Sequence, residues 1–301
     1  MVAPGRSGPL RECNICQQMH PNEACERAWV RCNVRKFREE RFEVWRCPSC
    51  RSIHAADPVD LAHYYAAYPS LKEDVQWRLD PMYKSMLSRL TAAGLQKSHR
   101  ILDYGCGSGA LVRYLRRQGY AQTSGYDAYS AEFSDEAVLS MRYDCVVSQD
   151  VLEHVDSPMA LLAEFERLTE PNALIAIGTP DALAIDLQEP DDYVHTLHAP
   201  FHRHILTSTA LRERAEALGW RVSRYYDTMY GNTLLPAQNP RFGLHYLQCH
   251  DDTLDLVTEP VRPSARWLFH PATPFFMFFG YFFDRHTDIM FTFHKGAFHT
   301  V

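Results

Sequence analysis

Ile101-Leu102-Asp103-Tyr104-Gly105-Cys106-Gly107-Ser108-Gly109 is the stretch that decides how this 301-residue chain folds. Ile101 and Leu102 read as a buried strand, and the glycines as a turn. Leu111, Val112 and Leu115 then stand at helical spacing among Arg113, Arg116 and Arg117, so a half-buried helix follows. A strand, a glycine loop and a helix in that order let backbone pass close to a nucleoside-like ligand. Asp127, 22 residues after Gly105, places a carboxylate where a ribose acceptor belongs, roughly 20 residues on.

Charge separates the nucleoside cofactors. A dinucleotide presents an anionic pyrophosphate, which seeks bare amides at a helix N-terminus and is repelled by a nearby carboxylate. Asp103 reads as lying in that loop. S-adenosylmethionine carries no phosphate and has a cationic amino group, so an acid beside the glycines suits it. The spacing of Gly105, Gly107 and Gly109 also lacks the three-residue step of the dinucleotide pattern. The sequence therefore favours a methyl donor over NAD.

On these residues the chain resembles the class I S-adenosylmethionine-dependent methyltransferases over about residues 99–230. Asp103 to Gly109 resembles the first motif of that family, and Asp127 the acid that ends its second strand. Tyr143 to Val155 looks like its fourth strand with the start of the next helix. Pro171 to Pro180 resembles the fifth strand, with Pro171-Asn172-Ala173 in place of the usual proline and two glycines. The resemblance implies an α/β fold with a Rossmann-like sheet. It implies that Asp103, Gly105, Cys106 and Gly107 hold the amino-acid end of the cofactor, that Asp127 and Ala128 hold the ribose, and that Gln149, Asp150 and Val151 lie near the methyl group. Outside the resemblance, Asp127 reads as a helix cap, and Glu153 and His154 as packing and capping residues. Only 16 residues separate Asp127 from Asp144, too few for a helix and a full third strand. For the adenine-binding acid usually found there, Asp135 is the candidate.

The chain's 46% hydrophobic content supports a sizeable core, and its length suggests two domains. A net charge of −6 argues against a nucleic-acid surface spanning the chain. Residues 1–55 carry ten Lys/Arg against six Asp/Glu, a modest basic excess that reads as solvated surface.

Six of the nine cysteines lie in the first fifty residues. Cys13-x-x-Cys16 and Cys47-x-x-Cys50 form two knuckles, each able to place two thiolates on one side of a tetrahedral zinc ion. Residues 1–57 read as a zinc-ribbon-like module, with short strands between Ala28 and Trp45. So small a module has little core, and without zinc it should unfold. Disulfides or redox pairs are the competing reading. Met1 to Leu10 lacks an apolar signal-peptide core, so reduced thiols and a cytoplasmic location are expected. Cys25 and Cys32 stay unassigned, free to replace a knuckle ligand or to join His20 or His54. Cys106, Cys145 and Cys249 read as small buried apolar residues.

Residues 58–98 read as a lid or linker, with a tyrosine-rich segment at Tyr64, Tyr65 and Tyr68 and a mainly helical stretch from Leu71 to Leu95. Ribbon, tyrosine segment and core in that order resemble the zinc-binding methyltransferases of natural-product and deoxysugar pathways. That resemblance implies that Tyr64, Tyr65 or Tyr68 folds over the cofactor; a helix packing aromatics into the core is the alternative. Those sugar enzymes usually carry a further C-terminal domain, for which this chain is too short.

Four histidines, at 195, 198, 202 and 204, follow the fifth strand on the carboxyl edge of the sheet, where ligands bind in open α/β folds. A histidine titrates near neutrality and can take a proton as a methyl group arrives. His154, His204 and Tyr65 are the catalytic candidates, and a second metal site among the histidines is a further option. Leu211 to Leu218 reads as a helix, Trp220 to Tyr226 as a strand, and Thr287 to His294 as the closing strand of a core over 99–301. Residues 231–286 form an insertion before that strand. It contains Pro271 to Phe283, thirteen residues without charge, shorter than the roughly 20 that span a bilayer. Hairpin packing, a homodimer face and a greasy substrate or membrane-surface contact are its three readings. Methyl transfer to a natural-product or sugar-like small molecule leads, ahead of an RNA or protein methyltransferase that grips its substrate with the ribbon, and of a silent zinc scaffold.

Overall fold

The computed structural model describes residues 9–69 and 79–296. The first part of the expected Leu71 to Leu95 helix, residues 71–78, lies outside them. At the centre is a six-stranded sheet. Its strands are β6 (Ile101–Tyr104), β7 (Thr123–Tyr126), β8 (Tyr143–Gln149), β9 (Thr169–Pro180), β11 (Trp220–Tyr226) and β12 (Asp288–Lys295). Their order is β11-β12-β9-β8-β6-β7; the pairings from β7 to β9 are parallel and those of β12 antiparallel. β8 is buried almost end to end through Cys145, Val146, Val147 and Ser148, as a parallel strand covered on both faces requires. A single helical turn over Glu136–Ser140 stands where a third strand and its helix would otherwise run. Asp135 caps that turn, its Oδ1 accepting from the Ala137 amide at 2.9 Å.

Helix α3 (Ala110–Arg117) buries Leu111, Val112 and Leu115 and starts from Gly109 at φ +74°. The helix after β8 begins later than the Leu152–Val155 segment suggested. Residues 151–156 form a turn, and α4 (Pro158–Leu168) starts where Ser157 Oγ accepts from the Ala160 amide and Pro158 presets the first turn. α6 (Ser208–Ala217) precedes β11, and α2 (Asp80–Ala92) packs against α3.

The N-terminal residues form the hairpin of β1 (Leu10–Glu12) with β2 (Met19–Pro21), and the strands β3 (Glu26–Arg31), β4 (Arg41–Arg46) and β5 (Ile53–Ala55). Their sheet takes a fourth strand from far along the chain: β10 (His204–Ile205) pairs antiparallel with β5. Buried Arg46 donates to the carbonyls of Ala182 and Ile185 at 2.7 and 2.6 Å, and Thr207 Oγ1 donates to the Cys50 carbonyl at 3.1 Å. One buried cluster runs from Cys13, Ile15 and Trp45 to Leu206, Leu211 and Trp220.

Between β11 and β12 lie α7 (Pro240–Cys249), α8 (Asp255–Thr258), α9 (Ala265–Leu268) and α10 (Ala272–Phe279). α10 and the turn after it leave Phe278, Phe279 and Phe282 more than half exposed rather than packed into a hairpin core. Among the described residues, no helix is long and apolar enough to cross a membrane.

Candidate active site

The chain turns back across the sheet between β6 and β8, one feeding β7 on one side and the other β9 on the other. The carboxyl ends of these strands meet at this switch point, where open α/β sheets bind ligands. Asp103 sits one residue inside β6 rather than in the glycine loop, and it is 4% exposed. Burial, with Asp127 adding repulsion, lifts its carboxyl to about 7. The acid that meets the loop amides is Asp127: Oδ2 accepts from the Gly107 N–H at 2.9 Å and Oδ1 from the Tyr129 N–H at 2.8 Å. Gly105 (φ +78°) has no room for a side chain, because a Cβ there would lie 2.2 Å from Val151 Cγ2. Gly107 (φ +52°) faces open space, which leaves the backbone bare toward a ligand.

Asp103, Gly105, Cys106, Gln149 and Asp150 line one cleft, joined by Tyr83 and Met86 of α2, Leu111 and Tyr230. Tyr83 and Tyr230 stack nearly parallel, ring centres 6.5 Å apart. Neither tyrosine was singled out from the sequence, because their meeting depends on tertiary packing across 147 residues. Ala128 is exposed beyond Asp127, and Val151 packs against Gly105.

Asp150, with φ +54°, also borders a second cavity of ≈ 440 Å³. That is within the range of small-molecule sites, roughly 300–1,000 Å³. Its side chain opens to the cavities while the surrounding protein keeps bulk water distant; this depth, with Asp288 opposite, raises its carboxyl to about 7. Glu153, His154, His198 and His202 form the polar wall, with Tyr68 beside them. Glu153 is fully buried; Oε2 accepts from Thr179 Oγ1 at 3.0 Å, while Oε1 has no hydrogen-bond partner among the described residues. Burial, then Asp150, holds its carboxyl well above the usual range. Burial lowers His154 to about 4, and also takes His198 and His202 well below the ordinary imidazole value.

Two of the three catalytic candidates come together, since Tyr65 Oη lies 3.2 Å from His154 Nδ1. Tyr65 belongs to α1 (Leu61–Tyr65) and stacks on Tyr129, while Tyr68 Oη reaches His198 Nε2 at 3.2 Å. Tyr64 instead points to the ribbon and donates to Glu40 at 2.7 Å. His204 is not brought to this wall. It pairs with β5, its Nδ1 lies 2.9 Å from His54 Nδ1, and its Nε2 faces Asn14 and the Asp156 carbonyl. Two elements join at that seam, and burial followed by His54 lowers His204 to about 3. The roof of the cavity comes from the insertion, through Pro240, Arg241, Leu244, Leu247, Leu254 and Val257. No sequence motif announced them.

The four knuckle sulfurs converge into one group beside His54. Cys13 and Cys50 Sγ are 3.6 Å apart, and Cys16 and Cys47 Sγ 3.7 Å. A tetrahedron of thiolates around zinc, with Zn–S about 2.3 Å, has edges of about 3.8 Å, so this donor set fits the ion. His54 Nε2 and His20 Nε2 stand 3.2 and 3.5 Å from Cys13 and Cys47 Sγ, in second-sphere positions. Cys25 faces the Pro21 carbonyl and Cys32 is packed near Phe37 and Phe201, so neither joins the group.

Residues 77–224 match the family model of a methyltransferase domain. Over that stretch the chain carries a methyltransferase domain. Among curated proteins, this methyltransferase is 24% identical over 194 residues to the ubiquinone biosynthesis O-methyltransferase of Dinoroseobacter shibae, covering 56% of this chain and 75% of that one. It is 30% identical over 100 residues to the enzyme of the same name from Cereibacter sphaeroides, 27% of this chain and 40% of that one. An uncharacterized 37.1 kDa transposon protein of Streptomyces fradiae is 26% identical over 64% of this chain and 63% of its own length. Several of these matches thus span less than two thirds of the relative. A solved S-adenosylmethionine-dependent methyltransferase from Archaeoglobus fulgidus is 15% identical, with a TM-score of 0.44 over 79% of this chain and all of that one.

Proposed function

We propose that the protein transfers the methyl group of S-adenosylmethionine to a small-molecule acceptor held in the cavity beyond Asp150. The observation that carries this reading is that one residue, Asp150, borders both the glycine-loop cleft and the larger cavity. A donor in the first and an acceptor in the second would face each other across a single side chain. When bound, S-adenosylmethionine supplies a methyl carbon on a sulfonium, a leaving group that needs no further activation. The buried carboxylate of Asp103 offers the counter-charge for its ammonium group, and the turn through Gly105, Cys106 and Gly107, open at Gly107, gives close backbone approach. Asp127 and Ala128 border the ribose position, and Gln149, Asp150 and Val151 the methyl.

The chain's own work is then alignment, which contributes several kcal/mol and up to roughly 7 to 11 in ideal cases. Tyr68 and His154 form the wall against which the acceptor lies, and Tyr65 Oη supports His154 at Nδ1. The names of the curated relatives point to O-methylation, so a natural-product-like acceptor bearing a hydroxyl is the form of substrate we favour. The thiolate cluster holds a structural zinc in this reading. The test is to incubate the full chain with isotopically labelled methyl donor and a metabolite extract, with bulk RNA alongside. Label in small molecules and none in RNA is expected; label confined to RNA or protein would overturn the proposal.

A further inference from the structure

We infer that Glu153, His154 and His202 form a second metal site, a two-histidine, one-carboxylate set that holds a divalent transition-metal ion in the wall of the acceptor cavity. One ligand atom from each of these residues lies within 4.8 Å of the others. Among the described residues Glu153 Oε1 is buried without a hydrogen-bond partner, and it lies 3.9 Å from His202 Nε2. A solitary carboxylate oxygen in a dry wall is costly unless something positive meets it. The second sphere is that of a ligand set. Thr179 Oγ1 occupies the other Glu153 oxygen at 3.0 Å, and the Thr196 carbonyl engages His202 Nδ1 at 2.8 Å, which turns the Nε2 lone pair toward Glu153. The rings of His154 and His202 meet edge to face, 4.6 Å between centres.

His198 is a neighbour but not a fourth ligand. It lies outside the group of mutually close ligand atoms, its Nδ1 facing Asn33 Oδ1 at 2.8 Å and its Nε2 facing Tyr68 Oη at 3.2 Å. Three protein ligands leave coordination positions open, and these face the cavity. Two imidazoles with one carboxylate suit first-row divalent ions and differ in softness from the all-sulfur knuckle site. Resting on the acceptor-cavity reading, the ion's role is to bind an oxygen of the acceptor and raise the acidity of its hydroxyl. The substrate class is then one with a metal-binding hydroxyl group.

The experiment uses the full chain, stripped with a chelator and titrated with Co²⁺ in the absence of methyl donor. Two equivalents should bind, one with the intense sulfur-to-cobalt charge-transfer absorption of a thiolate site and one with only weak visible bands. Glu153→Gln and His202→Ala should each keep the thiolate signal and lose the other equivalent. A single equivalent, wholly thiolate in character, in the unaltered protein would overturn the inference, as would two equivalents in both variants. The unaltered protein's spectrum decides the matter even where a variant does not fold. Two bound ions with no methyl transfer to any small molecule would sink the acceptor reading and leave the metal site standing.

Discussion

Asp103 and Asp127 do different work beside the glycine loop. Asp103 is the charged floor of the cleft, and Asp127 ties down the loop by taking the Gly107 N–H. Because burial raises the Asp103 carboxyl to about 7, the protein without cofactor holds a proton there below neutrality. A cation needs the ionised form. Cofactor affinity should therefore fall up to about tenfold per pH unit below 7 and level off above it. Calorimetry in buffers of different ionisation enthalpy should register proton release on binding near pH 6, and Asp103→Asn should abolish both the release and the slope. An unchanged slope in that variant would show another group at work. Asp127→Ala should weaken binding by roughly tenfold, the worth of a charge-assisted hydrogen bond, in the same titration. The acids themselves were legible in the sequence, since charge and glycine spacing mark them. Which acid meets the amides was not, because Asp127 bonds to Gly107 across a parallel strand pair whose register only the folded sheet defines.

At the scale of elements, the two CxxC knuckles, the strands flanking them, and the missing third strand were all open to reading from spacing. The two-residue strand β10 was not, for it carries no periodicity and exists only because β5 offers an edge. Its presence changes what zinc removal should do. The ribbon shares a sheet and a buried cluster with residues of the core, so its loss would strip cover from Leu206, Leu211 and Trp220. Removing the ion, or Cys13→Ser, should lower the melting temperature of the whole chain in one transition, by an amount equivalent to several kcal/mol. Two separate transitions, or a melt indifferent to chelator, would mean that ribbon and core unfold independently. The helix expected straight after β8 shows a related limit. The family resemblance implied an early start, whereas Ser157 and Pro158 set the cap.

The acceptor cavity belongs to the whole molecule rather than to the shared core. Its floor comes from the turn after β8 and from the ends of β9 and β12, its side from the tyrosine segment and the histidine loop, and its roof from α7 and α8 of the insertion. The roof is pinned to the ribbon: Arg35 bridges Asp251 and Glu259, Arg31 meets Asp252, and the Leu254 amide donates to the Asn33 carbonyl at 2.7 Å. Asn33 also reaches His198, so the ribbon that carries the knuckles also touches the wall of the cavity. The ion pairs are partly solvated, and each is worth on the order of 1 kcal/mol after screening. Breaking two at once with Arg35→Ala should leave the global fold intact and loosen the roof alone. Hydrogen exchange should then quicken across residues 240–258 while β6, β8 and β9 keep their protection, and cofactor affinity should not move, because its cleft is walled by α2 and the strand ends. Exchange quickened evenly along the chain would show instead that these pairs support global stability, and the ribbon would lose its assigned part in shaping the acceptor site.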